Sequence, residues 1–178
     1  MRNRMKMIRK TSILLTIGIF LGLTIYYFYP ESSIPDNVTI DKLVVIKSLR
    51  QLIAYSHGQI IKTYKISIGR NPVGQKEFEG DKKTPEGIYT INDKNPKSGY
   101  HKSLGISYPN QSDIVIAGKI GRKTGGDIKI HGLRNGLSII GKFHRLFDWT
   151  LGCIALTNPE IDQLYEHTTI GTIIEIKP

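Results

Sequence analysis

Residues 148–158 read DWTLGCIALTN, and they contain the only cysteine of the 178-residue chain. A cysteine nucleophile needs a base that takes its proton, donors for the oxyanion and access to a substrate. Gly152 precedes Cys153 and lets the backbone approach a substrate closely, in turn geometry that other residues resist. Because a lone cysteine cannot form a disulfide within the chain, Cys153 is an inert buried thiol, an intermolecular bridge or a reactive group.

The base for such a cysteine is usually a histidine, and the chain has five. His57 falls in a predicted turn, and His167 falls at the end of a predicted helix, where a cation complements the helix dipole. Both therefore have a structural explanation. His131 ends an apolar strand, whereas His144 is nearer to the cysteine in sequence. Spacing alone leaves both His131 and His144 as candidates for the base.

Short β-branched or alternating runs dominate the rest of the chain after residue 40. They predict strands at 43–47, 50–56, 59–68, 88–91, 104–108, 114–117, 128–131 and 172–176. A helix is signalled once, where Asn158 can cap it, Pro159 fits its first position and Glu160 lies in its first turn. The sequence therefore predicts a mainly β fold with one or two helices, in which the Gly- and Pro-rich residues 71–85 form a long loop.

The cysteine and histidine motifs resemble the L,D-transpeptidase (YkuD-type) catalytic domain. Its signature is His-Gly, followed downstream by Ser or Thr, any residue, Gly and Cys. In this chain the matching segments are His131-Gly132 and 150–153, and further matching segments lie at 67–69, 80–81, 84–89 and 104–110. The resemblance covers about residues 40–177. It implies an L,D-transpeptidase-like β-sandwich or barrel of mixed sheets, and it favours His131 over His144 as the base.

Two positions depart from that pattern. Many members have Arg two residues after the cysteine, where this chain has Ala155, and they often have a second His before the glycine, where it has Leu151. The run 148–158 is more similar to a subgroup associated with murein cross-linking and with attachment or release of murein-bound protein. Hydrolysis of the same peptide bond is therefore an alternative to transpeptidation.

The resemblance implies a mechanism on peptidoglycan stem peptides. Cys153 would attack the carbonyl of the third residue, a diamino acid, expel terminal D-alanine and pass the acyl group to an amine. His131 would accept the thiol proton and later activate the acceptor. Backbone amides at Gly152 and Cys153 would stabilise the oxyanion. Thr150 would shape the turn before the cysteine and bond to His131.

The same resemblance suggests substrate contacts at Gly132, Trp149 and Tyr108. For Trp149 the alternative is a place in the core, and for Gly132 it is close packing. No metal site is expected, because the five histidines and one cysteine show no ligand spacing, and no other cofactor is implied. Carbapenem β-lactams are expected to inhibit by acylating Cys153.

The N-terminal segment carries much of the net charge of +10, because residues 1–10 hold five basic residues and no acid. Residues 11–29 are free of charge, and as a helix they would span roughly 28 Å, about the thickness of a bilayer core. We therefore predict a cytoplasmic tail (1–10), a transmembrane signal anchor (11–29), a linker (30–39) and a catalytic domain (40–178). The bulky aromatic residues at 26–29 argue against a cleaved signal peptide. This topology places the domain in the periplasm or cell-wall space of a bacterium.

Rival functions fit less well. A sortase needs an arginine after its cysteine, and apart from histidine the only basic side chain after Cys153 is Lys177. A papain-like protease has its cysteine before its histidine, which is the reverse order. A non-catalytic wall-binding module would have lost Cys153 or His131, and both are present. Nucleic-acid binding is not indicated, because no basic stripe interleaved with aromatic residues occurs.

Overall fold

The computed structural model describes residues 2–178, except for the side chains at positions 2, 3 and 8. Met1, the first residue of the predicted basic tail, lies outside the described residues. The chain divides into two compact units, the second of which is Ser33–Pro178.

The first unit consists mainly of one helix, α1 (Arg2–Phe28). Its segment Arg4–Phe28 has a mean hydropathy of 1.8 over its most apolar stretch, and none of that stretch is buried. The helix is thus long and apolar enough to cross a membrane. By length and composition, a signal sequence near the N-terminus would meet the same criterion.

The second unit is built on one eight-stranded mixed sheet. Its strands are β1 (Ile40–Ile46), β2 (Gln51–Ser56), β3 (Gln59–Lys65), β4 (Gly87–Ser98), β5 (His101–Ile106), β6 (Lys129–His131), β7 (Ile154–Ala155) and β8 (Thr168–Lys177). They lie in the order β3-β2-β1-β8-β4-β5-β6-β7. The pairs β1–β8 and β6–β7 are parallel, and the other neighbours are antiparallel. The prediction of a mainly β, mixed-sheet fold is confirmed.

The two edges of this sheet approach each other. Just after β3, Ser67 donates its N–H to Ala155 O over 3.1 Å and accepts the N–H of Ala155 over 2.8 Å. Gly69 then forms a further bridge with Thr150. These contacts join the end of β3 to β7 and curl the sheet into a half-barrel. As a result, β7, which directly follows Cys153, pairs with the residues after β3 on one side and with β6 on the other.

The prediction of a strand at 114–117 is wrong, because these residues lie in helix α2 (Gln111–Lys119). The side chain of Asn110 accepts the N–H of Asp113 over 3.1 Å, and the carboxylate of Asp113 accepts the N–H of Asn110 over 2.9 Å. This reciprocal capping satisfies two free N–H groups at the helix start. It therefore outweighs the strand preference of the β-branched residues that follow.

Helix α3 (Asn158–His167) begins where the sequence predicts a helix, but its cap is Thr157 rather than Asn158. One carboxylate oxygen of Glu160 accepts the Thr157 N–H (3.1 Å) and hydroxyl (2.7 Å), and the other pairs with Arg145 at 2.6 Å. Asn158 instead accepts the N–H of Leu133 over 2.8 Å. This bond fixes the start of α3 against the end of β6.

A 3-10 segment (Ser138–Leu146), which the sequence analysis did not predict, is interrupted at Gly141 and leads into the cysteine loop. The core lies between the concave face of the sheet and α3, from which Ile161 and Leu164 are fully buried. Ile34 also belongs to this core and is only 4% exposed. Part of the predicted 30–39 linker therefore packs on the second unit.

Candidate active site

A cavity of about 820 Å³ lies beside β6 and β7. Cys153 and His131 both line it, so the structure brings the predicted nucleophile and the predicted base to one place. The other lining residues are Arg70, Asn95, Ser98, Gly99, Tyr100, Asp127, Lys129, Leu133, Arg134, Leu137, Ile140, His144, Phe147, Trp149, Thr150 and Leu151.

The parallel pairing of β6 with β7 explains this proximity. Ile130 lies opposite Ile154, and His131 lies opposite Ala155. Cys153 immediately precedes β7, so it and His131 lie on adjacent backbones, two residues apart in register. The register of two very short strands therefore positions both residues, although they are far apart in sequence.

His131 is buried, and its Nδ1 lies 2.7 Å from Gly132 O. A carbonyl oxygen only accepts, so Nδ1 carries the hydrogen and Nε2 holds the lone pair of the neutral ring. Two aromatic rings contact the imidazole: Tyr100 at 4.5 Å and Trp149 at 5.8 Å between centroids. Burial lowers the pKa of His131, against the opposing effect of the Gly132 carbonyl. The ring is therefore neutral and ready to accept a proton at neutral pH.

Thr150 shapes the turn before the cysteine. Its hydroxyl donates to Cys153 O over 2.7 Å and accepts the N–H of Gly152 over 3.1 Å. The expected bond from Thr150 to His131 is not observed, because the Thr150 hydroxyl bonds within the turn and the Nδ1–H of His131 bonds Gly132 O. The Gly152 N–H is also occupied within the turn. Gly152 is therefore not available as the predicted oxyanion donor, whereas no bond described for residues 2–178 uses the N–H of Cys153, which leaves that donor for the oxyanion.

Gly152 cannot be replaced without strain for two reasons. Its φ is +137°, and an added Cβ would lie 2.8 Å from Lys83 O and 3.1 Å from the Cδ1 of Ile128. Other residues disfavour both this backbone conformation and the close approach. The glycine thus lets the turn pass beneath the loop at residue 83 and present the next residue to the cavity.

Cys153 is half-buried, and its Sγ lies 3.6 Å from Asp127 O. Burial raises the pKa of the Cys153 thiol; the backbone N–H of Lys129 opposes this, and the charge of Asp127 adds to it. The thiol is therefore protonated at rest. Its proton must leave when the sulfur attacks, which requires a neutral base nearby.

His144 also lines the cavity, but its contacts are structural. It is 2% exposed, and its Nδ1 lies 3.2 Å from Ser67 Oγ and 3.5 Å from the indole nitrogen of Trp149. Burial and the charge of Arg145 lower the pKa of His144 to about 3. This ring therefore braces Trp149 against the segment that follows β3.

The three residues predicted to contact the substrate differ in their surroundings. Trp149 is half-buried and lines the cavity, stacked on Tyr100 with centroids 6.3 Å apart. The prediction for Tyr108 is wrong: this ring is buried in the core, and its hydroxyl donates to Thr124 O over 3.0 Å. Gly132 serves packing rather than substrate contact, since an added Cβ would lie 2.7 Å from the side-chain oxygen of Asn158.

Tyr100 and Arg70 also line this cavity, although the sequence alone does not predict them there. Tyr100 lies between β4 and β5, and its carbonyl accepts the N–H of Gly132 over 3.1 Å. Arg70 reaches the cavity because the chain after β3 crosses to β7. Neither residue carries a local signal, because both arrive through long-range strand pairing. Within residues 2–178, no three His, Cys, Asp or Glu side chains converge as metal ligands would.

Comparison with known proteins gives a consistent result. The model of the L,D-transpeptidase catalytic domain family (YkuD) matches residues 41–176. The chain is 32% identical over 124 residues to "Putative L,D-transpeptidase YafK" of Escherichia coli K12; the match covers 67% of this chain and 42% of the relative. The chain therefore spans less than half the length of this curated relative.

Two solved structures resemble the fold at similar identity. The helical cell shape determining protein Pgp2 of Campylobacter jejuni has a TM-score of 0.58 at 27% identity, covering 80% of this chain and 49% of that one. Bd1075 of Bdellovibrio bacteriovorus has a TM-score of 0.55 at 26% identity, covering 81% and 50% respectively.

Proposed function

Since the chain belongs to the L,D-transpeptidase catalytic domain family (YkuD), we propose that it forms an acyl-enzyme on Cys153 from peptidoglycan stem peptides and passes the acyl group to an amine. The observation that carries this proposal is the pair formed by Cys153 and His131. They lie on adjacent backbones and line one cavity, and Gly132 O holds the His131 ring with its basic nitrogen unbonded within the described part of the chain.

In the first step, His131 takes the thiol proton while the sulfur of Cys153 attacks the carbonyl of the diamino acid. A carbon–sulfur bond forms, and the carbonyl oxygen becomes an oxyanion. The N–H of Cys153 stabilises that charge, since the N–H of Gly152 already bonds Thr150. His131 then gives its proton to the departing nitrogen as the peptide bond breaks. D-Alanine leaves, and a thioester remains.

In the second step, the acceptor amine loses a proton to His131 and attacks the thioester carbonyl. The carbon–sulfur bond breaks, and the proton returns to the sulfur. Water in place of the amine would give an L,D-carboxypeptidase or endopeptidase by the same route. The exposure of Leu151 at the cavity (67%) leaves the site open to either acceptor. A non-catalytic wall-binding role is the remaining alternative, and it makes no use of the His131–Cys153 pair.

The N-terminal helix supports a location at the cytoplasmic membrane. We propose that α1 anchors the chain with residues 1–10 inside and residues 40–178 in the periplasm or cell-wall space, joined by residues 30–39. The basic residues before the apolar stretch favour this orientation. The C. jejuni protein is named for determining helical cell shape, and we extend the proposal to a contribution of this chain to cell shape.

Mass spectrometry of muropeptides tests the function. Purified protein incubated with sacculi should yield new cross-links or exchanged termini at the diamino acid, with loss of D-alanine. Loss of D-alanine without a new bond would assign hydrolysis instead. Unchanged muropeptides in the presence of the wild-type protein, equal to those with Cys153→Ala, would leave the wall-binding alternative.

A further inference from the structure

Charge is unevenly distributed around the candidate active-site cavity. Its cationic lining residues are Arg70, Lys129 and Arg134, and its one carboxylate within the described part of the chain is Asp127. Lys129 pairs with Asp127 at 2.7 Å, so these two charges cancel. Two guanidinium groups remain uncompensated beside Cys153. The cavity is therefore built for a ligand that carries negative charge.

Arg70 is anchored to the segment that leads to the cysteine. Its backbone N–H donates to Thr150 O over 3.0 Å, and its Nε donates to Trp149 O over 3.1 Å. A guanidinium group has five N–H donors in one plane. Since Nε is used to fix that plane, the four terminal N–H groups remain, and none of them has an acceptor among residues 2–178. They form the forked end that binds a carboxylate through two parallel bonds.

Arg134 lacks such an anchor. It lies in the loop after β6, and no bond from its guanidinium group to any described residue occurs. Holding a flexible side chain in place for a ligand costs conformational entropy at the moment of binding. The pre-oriented Arg70 loses less freedom, and the bridge between its neighbour Gly69 and Thr150 holds it beside the cysteine turn. Arg70 is therefore the better carboxylate receptor of the two.

We propose that Arg70 is a specificity-determining residue that binds a carboxylate of the donor peptide close to the bond that Cys153 attacks. This inference rests on the proposed function, because that function supplies the donor. A stem tetrapeptide offers two carboxylates near that bond: the C-terminal carboxylate of D-alanine and, when the diamino acid is dicarboxylic, its second carboxylate. Bidentate pairing with either one would align the scissile carbonyl with the sulfur.

Residue 155 does not provide this charge. Ala155 is fully buried and paired with Ser67 in the closure of the half-barrel. A carboxylate that enters the cavity therefore meets Arg70, from the segment after β3, rather than a side chain after the cysteine. The segment after β3 thus closes the sheet against β7 and also places a charged group beside Cys153.

Peptide binding to the full chain in detergent micelles tests the proposal without requiring turnover. Trp149 is the only tryptophan, it lines the cavity, and its carbonyl accepts from Arg70, so its fluorescence reports occupancy. The probes are three tetrapeptides ending in D-alanine, titrated into Cys153→Ala. One has diaminopimelate and a free C-terminus, one has a C-terminal amide, and one has lysine in place of diaminopimelate.

The unmodified peptide should bind at least about 10-fold tighter than whichever analogue lacks the carboxylate that Arg70 contacts, as expected for a charged hydrogen bond. Arg70→Gln should abolish that difference, and Arg70→Lys should keep part of it. Arg122→Gln is the matched control, because that guanidinium lies over the Phe78 ring, away from the cavity, at 4.4 Å from the ring centroid. It should leave the difference unchanged.

The proposal is overturned if both differences survive Arg70→Gln, if Arg134→Gln removes them instead, or if no peptide binds saturably. The proposed function fails in a different way. In that case wild-type protein would release no D-alanine from the unmodified peptide, although the binding difference and its loss in Arg70→Gln persist.

Discussion

The ring of His131 donates its Nδ1–H to the carbonyl oxygen of Gly132, the next residue, over 2.7 Å. This bond orients the imidazole with a backbone group instead of the carboxylate that completes many cysteine or serine sites. A neutral carbonyl stabilises the protonated ring less than a carboxylate does, and burial lowers the pKa of His131 further. His131 is therefore a base that is neutral at rest.

The acylation rate should therefore be independent of pH from about pH 6.5 upward through neutrality. A lowered pKa means that His131 loses its proton below its usual range, so the rate should fall only as the pH drops under about 6.5. Single-turnover acylation of Cys153 by a β-lactam, measured between pH 4.5 and 8.5, checks this. An acidic limb whose midpoint lies above pH 6.5 would show that His131 is not the neutral base described.

Replacement of His131 or of His144 by alanine distinguishes the two candidate bases. His131→Ala should slow acylation of Cys153 by about 100-fold or more, because general-base catalysis contributes on that order. His144→Ala should slow it by less than about 10-fold, since His144 braces Trp149 and Ser67 and its pKa is about 3. Rates with one β-lactam, with circular dichroism as the control for folding, decide the point. A larger loss in His144→Ala would transfer the role of base to that residue.

Thr150→Val should distort the cysteine turn. It removes a hydroxyl that bonds both Gly152 N and Cys153 O, and it leaves those groups without that partner. We expect a loss of about 1–3 kcal/mol in the free energy of unfolding and a slower acylation of Cys153. Thr150→Ser keeps the hydroxyl and should restore most of both. Equal behaviour of the two variants in denaturant unfolding and acylation would count against a role for the hydroxyl.

A truncated chain that lacks the N-terminal helix should still include Ile34, because this side chain is buried in the core. The chain from residue 33 onward should be soluble and folded without the anchor, because its core is complete. Because the sequence alone predicts residues 30–39 as a linker, it would allow a start at about residue 37. A chain that starts there should have a free energy of unfolding that is lower by about 1.5–3 kcal/mol, since it lacks a buried isoleucine. Urea unfolding of both chains makes the comparison, and identical midpoints would show that residues 33–36 contribute nothing.

Much of this molecule could be predicted from local sequence. The alternation of residues 51–65 predicts the β2–β3 hairpin, and Pro159 with Glu160 predicts the start of α3. The strand predicted at 114–117 is a helix, because the reciprocal cap of Asn110 and Asp113 decides that segment. This signal was present in the sequence. Asn110, followed three residues later by Asp113, is a capping pattern that the β-branched residues after it conceal.

The candidate site was less predictable. His131 and Cys153 could be paired through their resemblance to a family motif, but the Thr150 partner and the position of Tyr108 could not. Those depend on how the sheet closes. Arg70 and Tyr100 reach the cavity through pairings between segments distant in sequence, which spacing along the chain does not encode. The two-residue strand β7 is likewise too short to leave a periodic signal.

Intact mass of the protein after incubation with a carbapenem shows whether Cys153 is a reactive nucleophile. We propose that His131 activates Cys153, whose side chain is half-buried and lines the cavity. The wild-type mass should rise by one adduct, the adduct should map to the peptide containing Cys153, and Cys153→Ala should stay unmodified. An unmodified wild-type protein, under conditions that acylate a control L,D-transpeptidase, would contradict the account, and so would an adduct that persists in Cys153→Ala.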